Sequence, residues 1–521
     1  MLTLPSLLQR TARLHANNPA ILDPAGDLDW RAWIARIAKA AGMLRNTLGL
    51  APGERFGILS RNSVRQAELI YAGYWAGVVP VPVNFRLAPP EIADVLEDAG
   101  CKVLAIDPHF ADLLERAPLD AWRARALALA QVPAAGLPSC YDALRDAAAP
   151  VPAHEPAEDD DAILLFTGGT TGRGKGVRIT HRNVVANALQ MAHIMAVRPG
   201  DSYLHVSPMF HSTDLKATCV TLHGGSHVYL PEFTPAAVLK AIEDYRITIG
   251  SLVPTMIIRT LQDPAFGRHD VASLRIISYG TSPMPAEWIR RTMHAFPGVA
   301  MQQVYGLTET SPVLAILDEH DHARALAGRE HILRAGGRPI AGTDVRIVDE
   351  HGTEVAPGDS GEILVRGPQV ANGYHNRPRE THDAFRDGWF RTGDVGCLDA
   401  EGYLFVLDRK KDMVITGGEN VYTSEVEAAI YQHPGVHEVA VIGLRDERFG
   451  EALCAVVVAA PGYALTQEKI IAHCRGRIGG FKIPRRVKFV EALPKSAMGK
   501  ILKQELRRTA KLAMQPKEPL T

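Results

Sequence analysis

Short strand-like segments alternate with longer helix-like segments through the first three hundred residues. "RFGILS" (55–60) precedes "VRQAELIYAGYWAG" (64–77), and "LRIISYG" (274–280) precedes "PAEWIRRTMHAF" (285–296). A strand followed by a covering helix returns the chain to the same end of a sheet, which makes neighbouring strands parallel. The alternation therefore predicts an α/β fold with a large N-terminal domain built on parallel sheets.

The pattern changes twice towards the C-terminus. From Gly337 short strands and turns such as "TDVRIVDEHG" and "GEILVRGP" predict a small, β-barrel-like unit over about 337–408. After Asp408 an α+β pattern predicts a separate small domain over 409–521, while 1–408 forms the N-terminal domain. The charged run "DRKKD" (408–412) is a candidate linker or an ordinary surface turn, and the Ala- and Pro-rich segment 137–161 is a second candidate linker.

Charge and composition exclude several classes of protein. The 57 basic and 58 acidic residues give a formal net charge of −1, which does not indicate a nucleic-acid-binding surface. The N-terminus has no signal-peptide pattern, and no apolar run approaches the roughly 20 residues that span a bilayer. Six cysteines without C-x-x-C spacing predict reduced thiols rather than disulfides or zinc. These features together predict a cytoplasmic protein without stable membrane insertion.

A glycine-rich segment, 169–175, matches the first part of a P-loop, G-x-x-x-x-G-K. Gly176 then stands where a P-loop has Ser or Thr, and "GVRI" (176–179) has a strand pattern where a P-loop has a helix. The first helix signal comes at 180–183, so we predict that the loop joins two strands. Backbone N–H groups and the hydroxyls of threonines in this loop could bind phosphate, or the segment is a simple hairpin. Both interpretations remain open on these residues alone.

Seven stretches in order resemble the adenylate-forming superfamily, which contains acyl- and aryl-CoA ligases, carrier-protein adenylation domains and firefly-type luciferases. The stretches are "FTGGTTGRGKGV", "PMFHSTD", "YGTSP", "QQVYGLTET", "RTGD", "DRKKDMVITGGENVYTSEVE" and "LPKSAMGKILKQEL". The resemblance implies that ATP and a carboxylic acid form an acyl-AMP with release of pyrophosphate, and that a thiol then displaces AMP.

The resemblance also implies a set of residues that bind ATP or AMP. They are Thr167, Gly168, Gly169, Thr170, Thr171, Gly172, Lys175, Gly280, Thr281, Ser282, Tyr305, Gly306, Asp394 and Arg409. Within this set, the resemblance places Tyr305 against adenine and Asp394 on the ribose hydroxyls. Two positions of the loop depart from the usual pattern. Gly168 stands in place of Ser, which removes one possible hydroxyl donor, and Gly174 stands in place of Pro, which should loosen the loop.

The same resemblance implies the catalytic residues Thr308, Glu309, His211 and Lys500. Thr308 contacts the α-phosphate and Glu309 holds Mg²⁺, whereas His211 lies beside the acyl group and moves between the two half-reactions. Lys500 bridges carboxylate and phosphate oxygens during adenylation. Taken alone, each of these residues has a simpler interpretation as a solvated or packed side chain.

The remaining implied residues concern the acyl pocket and the second half-reaction. His211, Gly280 and Val304 are expected to line the acyl pocket. The family pattern makes the C-terminal domain mobile, with Lys411 as its hinge and Gly417 and Gly418 in the tunnel for the pantetheine arm of CoA. The segment after His211 departs from the family, and we predict that Ser212, Thr213 or Asp214 caps the next helix, or else that Lys216 pairs with a polar group of the substrate.

We therefore predict an ATP- and Mg²⁺-dependent carboxylic acid–CoA ligase that uses CoA as co-substrate. An acyl-AMP ligase that loads a carrier-protein thiol is the alternative within the family, and a luciferase-like oxygenase is another. A P-loop ATPase or a catalytically inactive nucleotide-binding protein is the alternative of a different class. The sequence leaves the acid open among aliphatic, hydroxylated and aromatic acids, and it is compatible with a homodimer.

Overall fold

The structure, a computed structural model, describes residues 1–132, 136–137, 139–167, 174–282, 284–416, 419–446, 448–495 and 501–512. In chain order, helices α1 to α15 are Leu4–His15, Trp30–Gly42, Val64–Ala76, Pro89–Asp98, Tyr141–Ala147, His181–Ile194, Thr218–Leu222, Pro235–Asp244, Pro254–Leu261, Ala286–Ala295, Glu319–Leu326, Pro378–Ala384, Thr423–Tyr431, Gln467–Cys474 and Lys503–Leu512. Short 3₁₀ helices include Ser212–Ala217 and Thr308–Thr310.

Strands β1 to β25 follow the same order. They are Pro19–Ile21, Leu28–Asp29, Arg55–Leu59, Val79–Pro82, Cys101–Ile106, Ala126–Ala128, Asp161–Thr167, Lys175–Thr180, Ser202–His205, Ser226–Tyr229, Ile249–Leu252, Ile276–Gly280, Ala300–Tyr305, Ala315–Leu317, Arg338–Pro339, Asp344–Val348, Gly361–Arg366, Phe385–Arg386, Trp389–Leu398, Leu404–Arg409, Val414–Thr416, Glu419–Val421, Val436–Asp446, Gly450–Ala459 and Arg486–Phe489.

The chain divides into two compact units. One comprises Met1–Val345 with Val365–Phe390, and the other comprises Arg346–Leu364 with Arg391–Thr521. The first unit is the large α/β unit that the alternating pattern predicts. The predicted domain boundary at Arg409 marks the start of a C-terminal domain that moves about a hinge, and this boundary remains a prediction.

The large unit contains two mainly parallel sheets. The first has nine strands in the order β15-β14-β13-β12-β11-β9-β10-β1-β2, and its pairs from β1 through β10, β9, β11 and β12 to β13 are parallel. The second has the order β4-β3-β5-β6 and is parallel throughout. Apolar residues of β3 pack in one core with the apolar faces of helices such as α2 and α3. Parallel strands are buried on both faces, and these helices cover one of them.

Three predictions, on two segments and on the cysteines, can be compared with the fold. The β-rich segment from Gly337 contributes to a five-stranded sheet in the order β16-β17-β19-β18, with β20 paired to β19. Segment 137–161, predicted as a linker, instead contains helix α5 with a buried Tyr141. All six cysteines are free thiols, and all but Cys397 are buried, as the sequence predicts.

The smaller unit is built on a sheet with the order β22-β21-β24-β23, to which β25 adds in parallel with β24. Residues of β23 alternate between its two faces. Val439 and Val441 pack in one core with Ile430 of α13, whereas Ala440 and Ile442 pack in another. Helices thus cover both faces of this sheet. In neither unit does a helix of the described chain have the length and apolar character that a bilayer crossing requires.

Candidate active site

The carboxyl ends of β12 and β13 lie side by side in the large unit. Gly280 pairs with Val304 in parallel register, so Thr281, which follows β12, and Tyr305, the last residue of β13, lie at adjacent positions. Crevices at the carboxyl ends of parallel strands are the usual ligand sites of α/β sheets. Four residues predicted to bind the nucleotide or the acyl group therefore lie together at this edge: Gly280, Thr281, Val304 and Tyr305.

The backbone at this edge is too close-packed for side chains at two glycines. A Cβ on Gly280 would lie 2.3 Å from the carbonyl oxygen of Val304, and one on Gly306 would lie 1.8 Å from that of Pro312. Thr281 has a φ of +70°, and its Oγ1 is buried with no hydrogen-bond partner among the described residues. A buried hydroxyl held in an uncommon backbone conformation suits a donor for an anionic ligand.

The glycine-rich loop connects two strands, as predicted. Strands β7 and β8 pair antiparallel, with Thr167 opposite Lys175 at the end of the hairpin. The following helix, α6, begins only after Thr180, whose Oγ1 accepts from Asn183 N at 3.2 Å, while Asn183 Oδ1 accepts from Thr180 N at 2.9 Å. This capping box places the helix start beyond a full strand, so a P-loop, in which the helix follows the loop directly, is excluded. The loop residues Gly168, Gly169, Thr170, Thr171 and Gly172 lie outside the described residues.

Tyr374 links two of the predicted site residues. Its hydroxyl donates to Glu309 Oε1 at 2.8 Å, and Lys175 Nζ lies 5.0 Å from the centroid of its ring. The backbone of this segment is bound to β8, since His375 N donates to the carbonyl oxygen of Gly176 at 2.7 Å. Sequence reasoning missed Tyr374, because no motif that we used contains it and its partners are distant along the chain.

Thr308 and Glu309 lie together in the 3₁₀ turn that follows β13. Ser212 Oγ donates to Thr308 Oγ1 at 3.3 Å, which connects this turn to the segment that carries His211. Glu309 is largely buried, with 8% of its surface exposed. The predicted phosphate, metal and acyl residues of the large unit thus form one connected group.

A cavity of about 30 Å³ lies beside this group. His211 lines it, together with Tyr71, His205 and Asp214. The role of His211 in the acyl pocket remains a prediction. The roles of Gly280 and Val304 in the acyl pocket remain predictions, since neither lines this cavity. The cavity lining contains several polar groups among aliphatic and aromatic side chains.

The prediction of a helix cap after His211 is wrong. His211 itself is the N-cap residue of the 3₁₀ helix Ser212–Ala217, and no side chain caps it. Asp214 Oδ1 instead lies 2.6 Å from His205 Nδ1, while Lys216 Nζ donates to Ser278 Oγ at 2.8 Å. Burial lowers the pKa of Lys216 to about 8. Polar partners in the interior of the unit therefore hold the side chains of Asp214 and Lys216. The spacing of residues in the sequence does not reveal these partners.

Two predicted nucleotide-binding residues lie in the smaller unit. Asp394 and Arg409 are opposite each other on β19 and β20, with Arg409 Nε 2.7 Å from Asp394 Oδ1. Asp394 is buried, whereas the Arg409 side chain is 42% exposed. The two were predicted separately from distant motifs, and the strand pairing brings them together.

The remaining predicted residues fall on or beside undescribed segments. Lys411 is exposed in the turn after β20, where Asp412 N donates to the carbonyl oxygen of Arg409 at 2.8 Å. Gly417, Gly418 and Lys500 lie outside the described residues. Their predicted roles remain predictions.

Comparison with protein families matches both parts of the chain. Residues 8–375 match the AMP-binding enzyme family, and residues 425–500 match the AMP-binding enzyme C-terminal domain. The first match alone covers more than two thirds of the chain. It contains every predicted site residue of the large unit.

Individual relatives align with this chain over nearly their whole lengths. A feruloyl-CoA synthase of Amycolatopsis sp is 38% identical over 502 residues, which are 96% of this chain and 97% of that protein. The long-chain-fatty-acid–CoA ligase FadD13 of Mycobacterium tuberculosis is 37% identical over 504 residues, with 96% and 97% covered. The crystal structure of ATP-bound MatB from Rhodopseudomonas palustris superimposes with a TM-score of 0.87 at 32% identity and covers 97% of this chain and 99% of that one. The chain therefore belongs to the AMP-binding, adenylate-forming enzymes, and within them to the AMP-forming acid–CoA ligases.

Proposed function

We propose that the group around Thr308 and Glu309 activates a carboxylic acid with ATP and Mg²⁺, and that the acyl group then passes to the thiol of CoA. The observation that carries this proposal is the pair of contacts around one turn: Tyr374 holds Glu309 beside Lys175, and Ser212 ties Thr308 to the segment that carries His211. A phosphate site and an acyl site are thereby joined through a single turn.

The chemistry of the reaction explains why such residues suffice. A carboxylate resists nucleophiles because it is negatively charged and oxide is a poor leaving group. Attack of its oxygen on the α-phosphorus of ATP expels pyrophosphate, and the resulting acyl-AMP has a good leaving group. Positioned donors and positive charge around the phosphate carry most of this catalysis.

In this proposal several residues of the large unit bind the phosphates. Lys175, Thr167 and Thr308 supply charge and hydroxyl donors, and the buried Oγ1 of Thr281 supplies another. Tyr305 follows Val304 at the sheet edge and lies against the adenine. Lys500, outside the described residues, supplies the bridging charge that the family resemblance implies.

Glu309 fits a magnesium ligand. Tyr374 donates to Oε1 of this carboxylate, and the oxygens have further lone pairs for a hard cation. The described residues contain no group of three or more His, Cys, Asp or Glu placed to hold a metal, which agrees with an ion bound by one carboxylate and phosphate oxygens. Magnesium would neutralise phosphate charge and orient the pyrophosphate leaving group.

In the smaller unit, we propose that Asp394 accepts hydrogen bonds from the ribose hydroxyls. Its ion pair with Arg409 holds the carboxylate in a fixed orientation. Arg409 retains donors for a ribose or phosphate oxygen, because its guanidinium carries five N–H groups.

Product analysis tests the proposed reaction. Purified protein with Mg²⁺, ATP and a panel of carboxylic acids should form AMP and pyrophosphate only when a suitable acid is present. We expect Glu309→Gln to slow pyrophosphate release by about 10²–10³-fold, since it removes a charge that acts at the reacting phosphate. Glu319→Gln, on the exposed start of α11, is the matched control and should leave the rate unchanged. Formation of ADP and phosphate would overturn the proposal.

The acyl acceptor is tested separately. Free CoA should convert the acyl-AMP into a thioester and release AMP, whereas transfer only to a carrier-protein thiol would favour the alternative within the family.

We also propose a cytoplasmic location, where the six free cysteines stay reduced. Light scattering after size exclusion distinguishes a monomer from a homodimer.

A further inference from the structure

Segment 368–375 lies between the glycine-rich hairpin of β7 and β8 and the turn that follows β13. On one side of the segment, Arg178 N in β8 donates to the carbonyl oxygen of Gly373 at 2.9 Å. On the other side, Ala371 N donates to the carbonyl oxygen of Glu309 at 2.9 Å. Backbone hydrogen bonds of one short segment therefore join the hairpin to the turn that carries Glu309.

Two side chains from outside this segment fix its backbone. Asn183 Nδ2 donates to the carbonyl oxygens of Pro368 at 2.9 Å and Val370 at 2.8 Å. Thr381 Oγ1 accepts a hydrogen bond from Tyr374 N at 2.9 Å. The backbone is thus held both at the start of the segment and at Tyr374. A side chain that starts from a fixed backbone can orient another group, because its own freedom is already restricted.

The Tyr374 side chain contacts both parts of the site that the segment joins. Its hydroxyl donates to Glu309 Oε1 at 2.8 Å. Lys175 Nζ lies 5.0 Å from the centroid of its ring, within the range of a cation–π interaction. The ring also packs edge-on against Phe385, at 5.6 Å between centroids. One aromatic side chain therefore reaches the proposed metal ligand and the proposed phosphate-binding lysine together.

The hydroxyl of Tyr374 determines which lone pairs of the Glu309 carboxylate remain available. Among the residues that the structure describes, only Tyr374 hydrogen-bonds this carboxylate, and it does so at Oε1. Oε2 and the other lone pairs are left for a hard cation. Because Glu309 is only 8% exposed, bulk water would replace a lost donor poorly. Loss of a hydrogen bond that orients a metal ligand typically costs about 10- to 100-fold in metal affinity or activity.

We infer that Tyr374 is a positioning residue for acyl-AMP formation. Its hydroxyl holds the Glu309 carboxylate in the orientation that ligates Mg²⁺, and its ring holds Lys175 beside the same phosphates. This inference rests on the proposed function and adds a residue that lies in none of the seven family-like stretches. Tyr374 touches neither the ion nor the nucleotide in this role. It acts through Glu309 and Lys175, so segment 368–375 sets the metal site and the phosphate site relative to each other.

Metal–nucleotide binding tests the role of the hydroxyl without any acid substrate. Water-proton relaxation with Mn²⁺·ATP, in which Mn²⁺ stands in for Mg²⁺, gives the Kd of the complex. Tyr374→Phe keeps the ring and removes the hydroxyl, and we expect it to raise this Kd about 10-fold. The Kd of ATP in the presence of EDTA, measured by calorimetry, should stay within twofold of wild type, because Glu309 then holds no ion. Tyr463→Phe, at an exposed tyrosine, is the matched control and should change neither value.

Two further variants separate the hydroxyl from the ring and from Glu309. Tyr374→Leu removes the ring as well, so the Kd of metal-free ATP should also rise, by about two- to fivefold, because Lys175 loses its partner. In a Glu309→Gln background, Tyr374→Phe should have little further effect on the Kd of Mn²⁺·ATP, because the hydroxyl acts through the charged carboxylate. Full, additive effects of the two substitutions would overturn the proposed coupling.

Kinetics distinguish positioning from a merely structural role. In Tyr374→Phe the Mg²⁺ concentration for half-maximal pyrophosphate release should rise about 10-fold, and saturating Mg²⁺ should recover most of the rate. The reaction of supplied acyl-AMP with CoA releases no pyrophosphate and should keep the wild-type rate. A structural defect would instead slow both half-reactions and would not respond to Mg²⁺.

The contrary outcomes are defined in advance. A Kd for Mn²⁺·ATP that stays within twofold of wild type in Tyr374→Phe would overturn the inference, and so would equal rises with and without metal. Melting temperatures check folding, and a Tyr374→Phe protein that does not fold would assign the hydroxyl to stability and overturn its positioning role. If no acid in a broad panel releases pyrophosphate, the proposed function fails on its own. The binding titrations then still decide the role of Tyr374.

Discussion

Lys216 allows a quantitative test of the electrostatics of the large unit. Its side chain is almost fully buried, its Nζ donates to the neutral Ser278 Oγ, and no carboxylate of the described residues pairs with it. Burial lowers its pKa from 10.5 to about 8. The folded state therefore binds fewer protons than the unfolded state between pH 8 and 10.5, and stability should rise with pH through this window.

The magnitude follows from the pKa difference. With folded and unfolded pKa values of about 8 and 10.5, the charge on Lys216 costs about 3 kcal/mol at pH 7 and less than about 1 kcal/mol at pH 10. The unit has roughly 370 residues, for which the unfolding entropy is about 0.8 kcal/mol per kelvin. The change between the two pH values therefore corresponds to about 3 °C in melting temperature.

Lys216→Met removes the titrating group at similar side-chain volume. It also loses the hydrogen bond to Ser278, but this loss is nearly independent of pH and cancels when two pH values are compared. Differential scanning calorimetry at one scan rate should show the melting temperature of Lys216→Met, relative to wild type, fall by about 3 °C from pH 7 to pH 10.

Lys240→Met, on the exposed face of α8, is the control and should show no such change over the same range. A difference between Lys216→Met and wild type that stays constant within 1 °C from pH 7 to pH 10, about a third of the expected shift, would refute the reasoning. Lys216 would then keep an ordinary pKa in the folded protein, and its burial would cost little.

Three further predictions concern the two half-reactions. Lys500→Ala should slow acyl-AMP formation by about 10²–10³-fold but leave the reaction of supplied acyl-AMP with CoA intact, and single-turnover assays that found equal damage to both steps would contradict this. Lys411→Pro should retain acyl-AMP formation and lose thioester formation, because proline fixes φ at about −65° at the predicted hinge, whereas Lys411→Ala should retain both steps. Asp394→Asn should raise the KM for ATP, because it weakens the ribose contact and the pairing with Arg409; an unchanged KM would remove Asp394 from the nucleotide site.

Local signals in the sequence determined the class of fold and the local conformation around the glycine-rich loop. Alternation of strand and helix patterns predicts the parallel sheets, and Thr180 with Asn183 marks the start of α6 through contacts only three residues apart. Such features depend on backbone propensity and on neighbours along the chain, so the residue pattern contains them. The family motifs added the candidate residues, but not their partners.

Tertiary structure alone decided which polar side chains meet. Tyr374 reaches Glu309 across 65 residues of sequence, and Lys216 reaches Ser278 across 62. The prediction that Asp214 caps a helix is wrong, because its carboxylate instead pairs with His205 in the interior of the unit. Burial makes any unpaired polar group costly, so the packed fold, rather than local spacing, selects these partners.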